Sequence, residues 1–401
     1  MKNKNKLTNF LLILSFIILV FGSGYKLGEY KNRAFLLNPP TNNQSSSINF
    51  DLFWETWNKL EERYVDQKKI DPKKMYLGAI KGMVASVEDP YTFFLTPDEN
   101  KQNKDELGGK FEGIGAQLGL KDGRIIIIAP LKKSPAEMAG VKAGDYVNKV
   151  DNASTNKWTL SEAVSKIRGP KNTKVKLTLE RNGKEFDVTI VRQQIIVSSV
   201  ELSYDKNVAV LKVNQFGDNT NNEWNEAAKE ISNKWINKQI VGMVLDLRDN
   251  PGGYLDSSVY LASEFLPLGK LVVKQEATIY GNKEYRVSRI GILKDIPMTI
   301  LINKGSASAS EIMAGALRDH DRAKLIGEKS FGKGSVQEAL DLNEGAGLHV
   351  TVAKWILPNG DWINGKGIDP EIKVTNENKD GNTITKETDV QLEKAIELLT
   401  K

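Results

Sequence analysis

The chain has 401 residues, 40% apolar and 27% charged, with a formal charge of +5; it is too long for one ordinary domain and too polar for a many-span membrane protein. It contains no cysteine and only two histidines, His320 and His349, which excludes thiol nucleophiles, disulfides, zinc ribbons, lipobox anchoring and a histidine-rich metal site. The lysines are interleaved with acids, so the charge does not argue for nucleic acid, and acid–base chemistry has to rest on lysine, aspartate, glutamate or one of the two histidines.

At the amino terminus, Lys2, Lys4 and Lys6 precede an apolar run from about Phe10 to Phe21, the charge order of an export signal. No clear A-x-A cleavage site follows. Residues 1–30 are therefore expected to be an uncleaved signal anchor, preferred to a cleaved signal peptide, with the bulk of the chain extracytoplasmic and tied to the cell membrane. The Pro/Asn/Ser-rich stretch 31–47 reads as a tether. Residues 48–107 read as helical: "FDLFWETWNKLEERYV" spaces Leu52, Trp54, Trp57 and Leu60 as a helix would, and a second helix spans Pro72 to Val87. That aromatic stripe either packs onto the main body or pairs with another chain.

Residues 108–194 change character. β-branched runs such as "GRIIIIAP" and "KVKLTLERNGKEFDVTIV" alternate with glycine turns, Asn182-Gly183 signals a hairpin, and one helix, "TLSEAVSKIR", interrupts the strands. From about Val208 strands alternate with helices: "NVAVLKV", "QIVGMVLDLR", "MTILIN" and "AKLIGE" are strands, separated by amphipathic segments. This predicts a parallel α/β core over 195–375. The end, 376–401, carries the amphipathic helix "DVQLEKAIELL".

Three stretches carry candidate chemistry. In "KGSASASEIMAGAL", Ser308 lies between a strand and a helix and opens S-x-x-E with Glu311. The spacing is a capping box, and it is equally a place where unpaired N–H groups favour developing negative charge; helix cap and nucleophile both fit. A serine nucleophile needs a base. The histidines are poorly placed, whereas "KSFGKGSVQ" offers Lys333 and, four residues on, Gln337 on the same face. Burial can make such a lysine neutral, and a glutamine can aim the amine without holding it charged. In "DLRDNPGGYLDSS", two glycines between a strand and a helix expose backbone N–H groups able to cradle an oxyanion, although N-P-G-G is also an ordinary turn.

Together, "LDLRDNPGGYL", "GSASASEIMAGALRDHDRAKLIGEKSFGKGSVQ" and "PNGDWINGKGIDPEIKV" resemble the C-terminal processing peptidases, or tail-specific proteases. The resemblance implies a multidomain α+β protein: an α/β, crotonase-like protease core, an inserted β-rich PDZ domain, and helical N- and C-terminal segments. It implies a serine endopeptidase with a Ser–Lys dyad, Ser308 as nucleophile, Lys333 as general base and Gln337 orienting it. The oxyanion hole falls to the N–H groups of Gly253 and Ala309, with Gly252 as the alternative to Gly253. Pro251 departs from the family, where glycine is frequent. Gly113, Ile114 and Gly115 of "FEGIGAQLG" would bind a peptide carboxylate while the peptide adds to a sheet edge, and Arg168 would be a charged contact to the protease body. Implied partners are proteins or peptides with accessible C-termini, the membrane through the anchor, and a second copy through the helical ends, with no nucleic acid, metal or cofactor. Two rivals are a PDZ-bearing scaffold without chemistry and an acyl-thioester enzyme on a crotonase-like body.

Overall fold

The computed structural model describes residues 48–131, 133–279, 281–376, 385 and 387–401. The chain divides into two compact units, residues 1–76 and 77–401. In the first, helix α1 (Asp51–Arg63) buries none of its residues and stacks its own aromatics, Phe53 lying edge-on to Trp54 with ring centroids 5.1 Å apart. Helix α2 (Pro72–Ala85) follows.

The expected signal anchor and tether lie outside the described residues. Among the described residues no helix is long and apolar enough to cross a membrane. The membrane-anchored assignment is corrected to that finding: no described residue supports a transmembrane anchor, the membrane as a partner or the anchored localisation, and none of the three is carried further.

In the second unit, strand β1 (Phe93–Leu95) leads into α3 (Pro97–Leu107), which opens with a capping box: the Glu99 carboxylate accepts from the Thr96 N–H at 2.8 Å. The β-rich module comes next. It runs β2 (Lys110–Gly113), β3 (Ala116–Lys121), β4 (Arg124–Pro130), α4 (Pro135–Met138), β5 (Tyr146–Val150), β6 (Ala153–Ser154), α5 (Leu160–Ile167), β7 (Lys174–Arg181), β8 (Lys184–Val191) and β9 (Gln193–Ile196). Its sheet has the order β3-β4-β5-β7-β8, leaving β3 at an edge, while β2 and β9 pair as a two-stranded stem. Asn182 and Gly183 both take positive φ, 51° and 75°, and so form the expected turn between β7 and β8. Ile125, Ile127, Leu177 and Leu179 fill its core.

The remaining elements are β10 (Val200–Asp205), β11 (Val208–Val213), α6 (Thr220–Ile236), β12 (Gly242–Asp246), α7 (Leu255–Ala262), β13 (Leu271–Glu276), β14 (Lys283–Arg286), β15 (Met298–Ile302), α8 (Ala309–Asp319), β16 (Lys324–Gly327), β17 (Ser335–Asp341), β18 (Gly347–Ile356), β19 (Ile372–Lys373) and α9 (Val390–Thr400). They build two sheets. One has the order β10-β11-β12-β15-β16-β19, parallel from β11 to β19 with β10 antiparallel at the edge. Strands β12 and β15 are buried along their whole length, which is why they read as continuous apolar runs. The other sheet has the order β1-β18-β13-β14, with β17 on β18, and every pair is antiparallel. Trp224, Phe265, Met313 and Trp355 belong to the main apolar core. Helix α9 adds Ala395 and Ile396 against Val244, Leu301 and Ile326.

This topology overturns the expected crotonase-like α/β core. Strand–helix alternation is a local signal and describes the parallel sheet; the antiparallel sheet is assembled from segments as distant as Phe93 and His349, which pair directly. Periodicity carries no information about such partners. The strand Phe93–Leu95 also falls inside the segment read as helical, because three residues are too few to show alternation.

Candidate active site

Neighbouring parallel strands place their C-terminal ends side by side, the usual place for a site in such sheets. Here β12 runs into the turn 247–254 and β15 into the turn 303–308, and the two are stitched together. Asn250 is fully buried. Its side chain accepts from Gly252 N–H at 2.9 Å and donates to Val213 C=O at 2.8 Å. Its own carbonyl accepts from Ala307 N–H at 3.0 Å and from the Ser310 hydroxyl at 2.9 Å.

The three serines of the run separate by their partners. Ser306 donates to Leu247 C=O at 2.7 Å and accepts from Asn303 N–H at 3.0 Å, and Ser310 is bound to Asn250; both are fully buried. Ser308 alone of the three lines a cavity of about 440 Å³, together with Gly253, Ala309, Lys333 and Gln337. Its φ is 53° and ψ −115°, a region that costs a non-glycine residue on the order of 1–3 kcal/mol. The Ser308 N–H is held by the Glu311 carboxylate at 2.9 Å.

The Gly252 N–H is spent on Asn250, and the Gly252 carbonyl accepts from Phe216 N–H at 2.9 Å. Among the described residues no protein acceptor takes the N–H of Gly253 or of Ala309. Glycine is required at both turn positions. At Gly252, φ is +104° and an added Cβ would lie 2.8 Å from both Ala307 O and Ser308 Cβ; at Gly253, φ is +133° and it would lie 2.1 Å from Phe216 O.

Lys333 sits in the loop between β16 and β17. Burial pushes its ammonium below the ordinary lysine value, opposed by the negative charges of Asp89 and Glu311. Its Nζ lies 4.9 Å from the centroid of the Tyr91 ring. The loop is braced from outside by residues 362–367: Trp362 Nε1 donates to Gly334 C=O at 2.8 Å, Gly334 N–H donates to Asn364 Oδ1 at 3.1 Å, and Gly365 N–H donates to Gly332 C=O at 2.8 Å. Gln337, beside a bulge in β17, donates to Ser335 Oγ at 2.9 Å and Thr351 Oγ1 at 3.2 Å; no hydrogen bond joins it to Lys333 among the described residues.

Sequence reasoning missed four contributors. Asp89 accepts from Thr92 Oγ1 at 2.7 Å, and its carboxyl is held below the usual range: burial opposes this, and hydrogen bonds from Thr351, Thr92 and Tyr91 together with the Lys333 charge outweigh it. Tyr91 faces Lys333. Phe93 and His349 both line the cavity and stack at 4.6 Å between centroids. Burial and the Lys333 charge lower the His349 pKa below its ordinary value. Pairing of β1 with β18 joins Phe93 to His349, Asp89 and Tyr91 come with the segment before β1, and no local pattern marks the four.

Gly113, Ile114 and Gly115 lie apart from this cavity, at the head of the edge strand β3. The carbonyls of Ile114 and Gly115 accept from Ala136 N–H at 2.8 Å and Leu131 N–H at 2.9 Å, and no protein acceptor takes the Ile114 or Gly115 N–H among the described residues. Gly115 has φ +71°, and an added Cβ would lie 2.5 Å from Ser134 Cβ. Arg168, just past α5, reaches Glu106 of α3 at 3.4 Å and covers the Phe111 ring at 4.6 Å.

A half-buried strand-to-helix serine, a desolvated lysine and backbone donors without a protein acceptor line one cavity, an arrangement suited to serine hydrolase chemistry. Family profiles agree: residues 207–374 match peptidase family S41, 98–180 match the PDZ domain, and 25–99 match the N-terminal domain of the activating protease CtpB. The carboxy-terminal processing protease CtpB of Bacillus subtilis (strain 168) is 37% identical over 330 residues, covering 81% of this chain and 67% of that one. A probable CtpA-like serine protease of Staphylococcus aureus (strain MSSA476) is 38% identical over 334 residues, covering 83% of this chain and 66% of that one. The match thus spans just under two thirds of the staphylococcal relative's length. Among solved structures, the photosystem II D1 C-terminal processing protease aligns with a TM-score of 0.53 at 27% identity, covering 87% of this chain and 97% of that one. A putative S41 protease from Bacteroides fragilis NCTC 9343 has the same fold, with a TM-score of 0.58 at 15% identity and coverage of 86% and 96%. The chain belongs to peptidase family S41, is similar to CtpA/CtpB-like serine proteases, and carries a PDZ match.

Proposed function

We propose that this chain is a serine endopeptidase that processes proteins recognised by their C-terminal tails, with 108–194 as the PDZ domain, 195–375 as the protease body and 376–401 as a C-terminal helical segment. The observation that carries this reading is the cavity shared by Ser308, Lys333, Gly253 and Ala309, together with the burial that shifts Lys333 toward its neutral amine.

Neutral Lys333 takes the proton of Ser308 as the hydroxyl oxygen attacks a peptide carbonyl. The oxyanion is stabilised by the Gly253 and Ala309 N–H groups, which need no reorganisation because no protein acceptor competes for them. The lysinium then protonates the leaving amine, and water repeats the cycle on the acyl-enzyme in reverse. Gln337 borders Lys333 from β17 and orients the amine when substrate displaces the bonds to Ser335 and Thr351. The tail's terminal carboxylate is bound by the N–H groups of the Gly113–Gly115 loop, and its backbone adds to the β3 edge.

The test uses the full chain with Ser308→Ala and Lys333→Ala, an unstructured protein substrate, and fragment analysis by mass spectrometry. Cleavage lost in both variants with unchanged unfolding midpoints is the expected result. Cleavage that survives Ser308→Ala assigns the nucleophile elsewhere and overturns the reading.

A further inference from the structure

Glu311 is a carboxylate that is 1% exposed in the first turn of α8. The S-x-x-E spacing accounts for one of its bonds, the one from Ser308 N–H to Oε2 at 2.9 Å. Three others come from a segment about twenty residues further on: Lys333 N–H also reaches Oε2 at 2.9 Å, while Gly332 N–H at 2.7 Å and the Ser330 hydroxyl at 2.6 Å reach Oε1. An ordinary capping glutamate closes its own helix turn. This one spans two separate segments, and each of its oxygens joins them or holds the second.

We propose that Glu311 is a positioning residue for the reaction: as a buried anion it clamps the segment bearing Ser308 to the loop bearing Lys333, and so sets the reach between nucleophile and base. The inference rests on the proposed roles of Ser308 and Lys333. Two points of chemistry carry it. Four donors on two oxygens need a group with two acceptor atoms, which a carboxylate has and a carboxamide lacks. Burial pushes the carboxyl up, opposed by all four hydrogen bonds, and every partner is oriented as a donor, the arrangement that fits the ionised form. The clamp also holds Ser308 in its positive-φ turn, because the restrained N–H belongs to that residue.

The anion acts on Lys333 as well. The groups that bear on this amine are Glu311 from α8, Asp89 and the Tyr91 ring from the segment before β1, and His349 from β18; Asp89 and Glu311 favour the charged form. Removing the Glu311 charge therefore lowers the lysine pKa further, whereas shortening the side chain leaves the charge in place.

The experiment compares full-length wild type, Glu311→Gln and Glu311→Asp, with Ser308→Ala and Lys333→Ala as references, by steady-state cleavage of a peptide substrate across pH 5–10 and by thermal unfolding. A misplacement of about 1 Å at a reacting centre can cost roughly 100-fold, so both Glu311 variants are expected to lose about 10- to 100-fold in kcat with little change in KM. Glu311→Gln also moves the acid limb of the kcat profile to lower pH, and Glu311→Asp leaves that limb where it is. Wild-type kcat in either folded variant overturns the proposal, and so does a kcat loss in Glu311→Gln with an unmoved acid limb, which reduces Glu311 to a helix cap. If Glu311→Gln does not fold, the kcat of Glu311→Asp decides. Activity in Ser308→Ala or Lys333→Ala would instead sink the underlying reading, so the two failures are distinguishable.

Discussion

Gly252→Ala tests the oxyanion turn without touching a proposed donor. The added Cβ meets Ala307 O and Ser308 Cβ at 2.8 Å and Ala309 N at 3.0 Å. None of these is the end of a flexible side chain, so relief requires the turn after β12 and the start of α8 to part by several tenths of an ångström. That movement separates the Gly253 and Ala309 N–H groups, and loss of one oxyanion donor costs about 100- to 1,000-fold in kcat, or roughly 3–4 kcal/mol. Backbone strain alone is controlled by Gly269→Ala: Gly269 has a comparable φ of +81° with nothing within 4 Å of an added Cβ. Gly269→Ala is expected to lose about 1–3 kcal/mol of stability from the left-handed backbone and Gly252→Ala at least as much, read as unfolding midpoints. Only Gly252→Ala is expected to lose kcat, read by steady-state cleavage with KM recorded separately. A Gly252→Ala enzyme within threefold of wild-type kcat would falsify the claim that the spacing of the two turns defines the hole.

Two further outcomes follow from the hydrogen bonds. Ser306→Ala and Ser310→Ala each remove a buried hydroxyl bond and are expected to lower stability by about 1–3 kcal/mol while cleavage persists, in contrast to Ser308→Ala; loss of cleavage in a stably folded Ser306→Ala would show that the assignment within the run is wrong. Arg248 pairs with Asp246 at 2.7 Å and with Asp389, the cap of α9, at 2.8 Å, so Arg248→Met leaves the buried Asp246 and the half-buried Asp389 without their ion-pair partner and is expected to cost about 3–5 kcal/mol in chemical denaturation. Burial opposes ionisation of Asp389, but its bonds to Arg248 hold its pKa below the ordinary value. Its contribution to stability is therefore present above the unfolded-state value, about 3.9, and is lost as pH falls through the folded one; an acid unfolding midpoint indifferent to Asp389→Asn would contradict this.

What was legible in the sequence was local. Ser308 stands at a strand-to-helix junction, Asn182-Gly183 demands a turn, and the parallel strands are apolar runs of the right length. The Lys333 and Gln337 spacing suggested a shared face, and both residues line one cavity. The free-energy balance at the lysine was not legible, because it depends on Asp89 and Glu311 approaching from other elements. His349 was set aside as part of a strand-like run. Its place at the cavity wall depends on the pairing with Phe93, a contact between segments that share no pattern. The crotonase-like expectation failed for the same reason, since a second sheet built from distant segments leaves the local periodicity of the first unchanged.

The clasp of residues 362–367 on the lysine loop has a consequence for the newly made chain. Synthesis delivers Ser308 first, Lys333 next, and Trp362, Asn364 and Gly365 only afterwards; α9, whose cap Asp389 holds Arg248 ahead of the oxyanion turn, arrives last. A ribosome-bound chain thus carries every reacting group before it carries the parts that hold them in register.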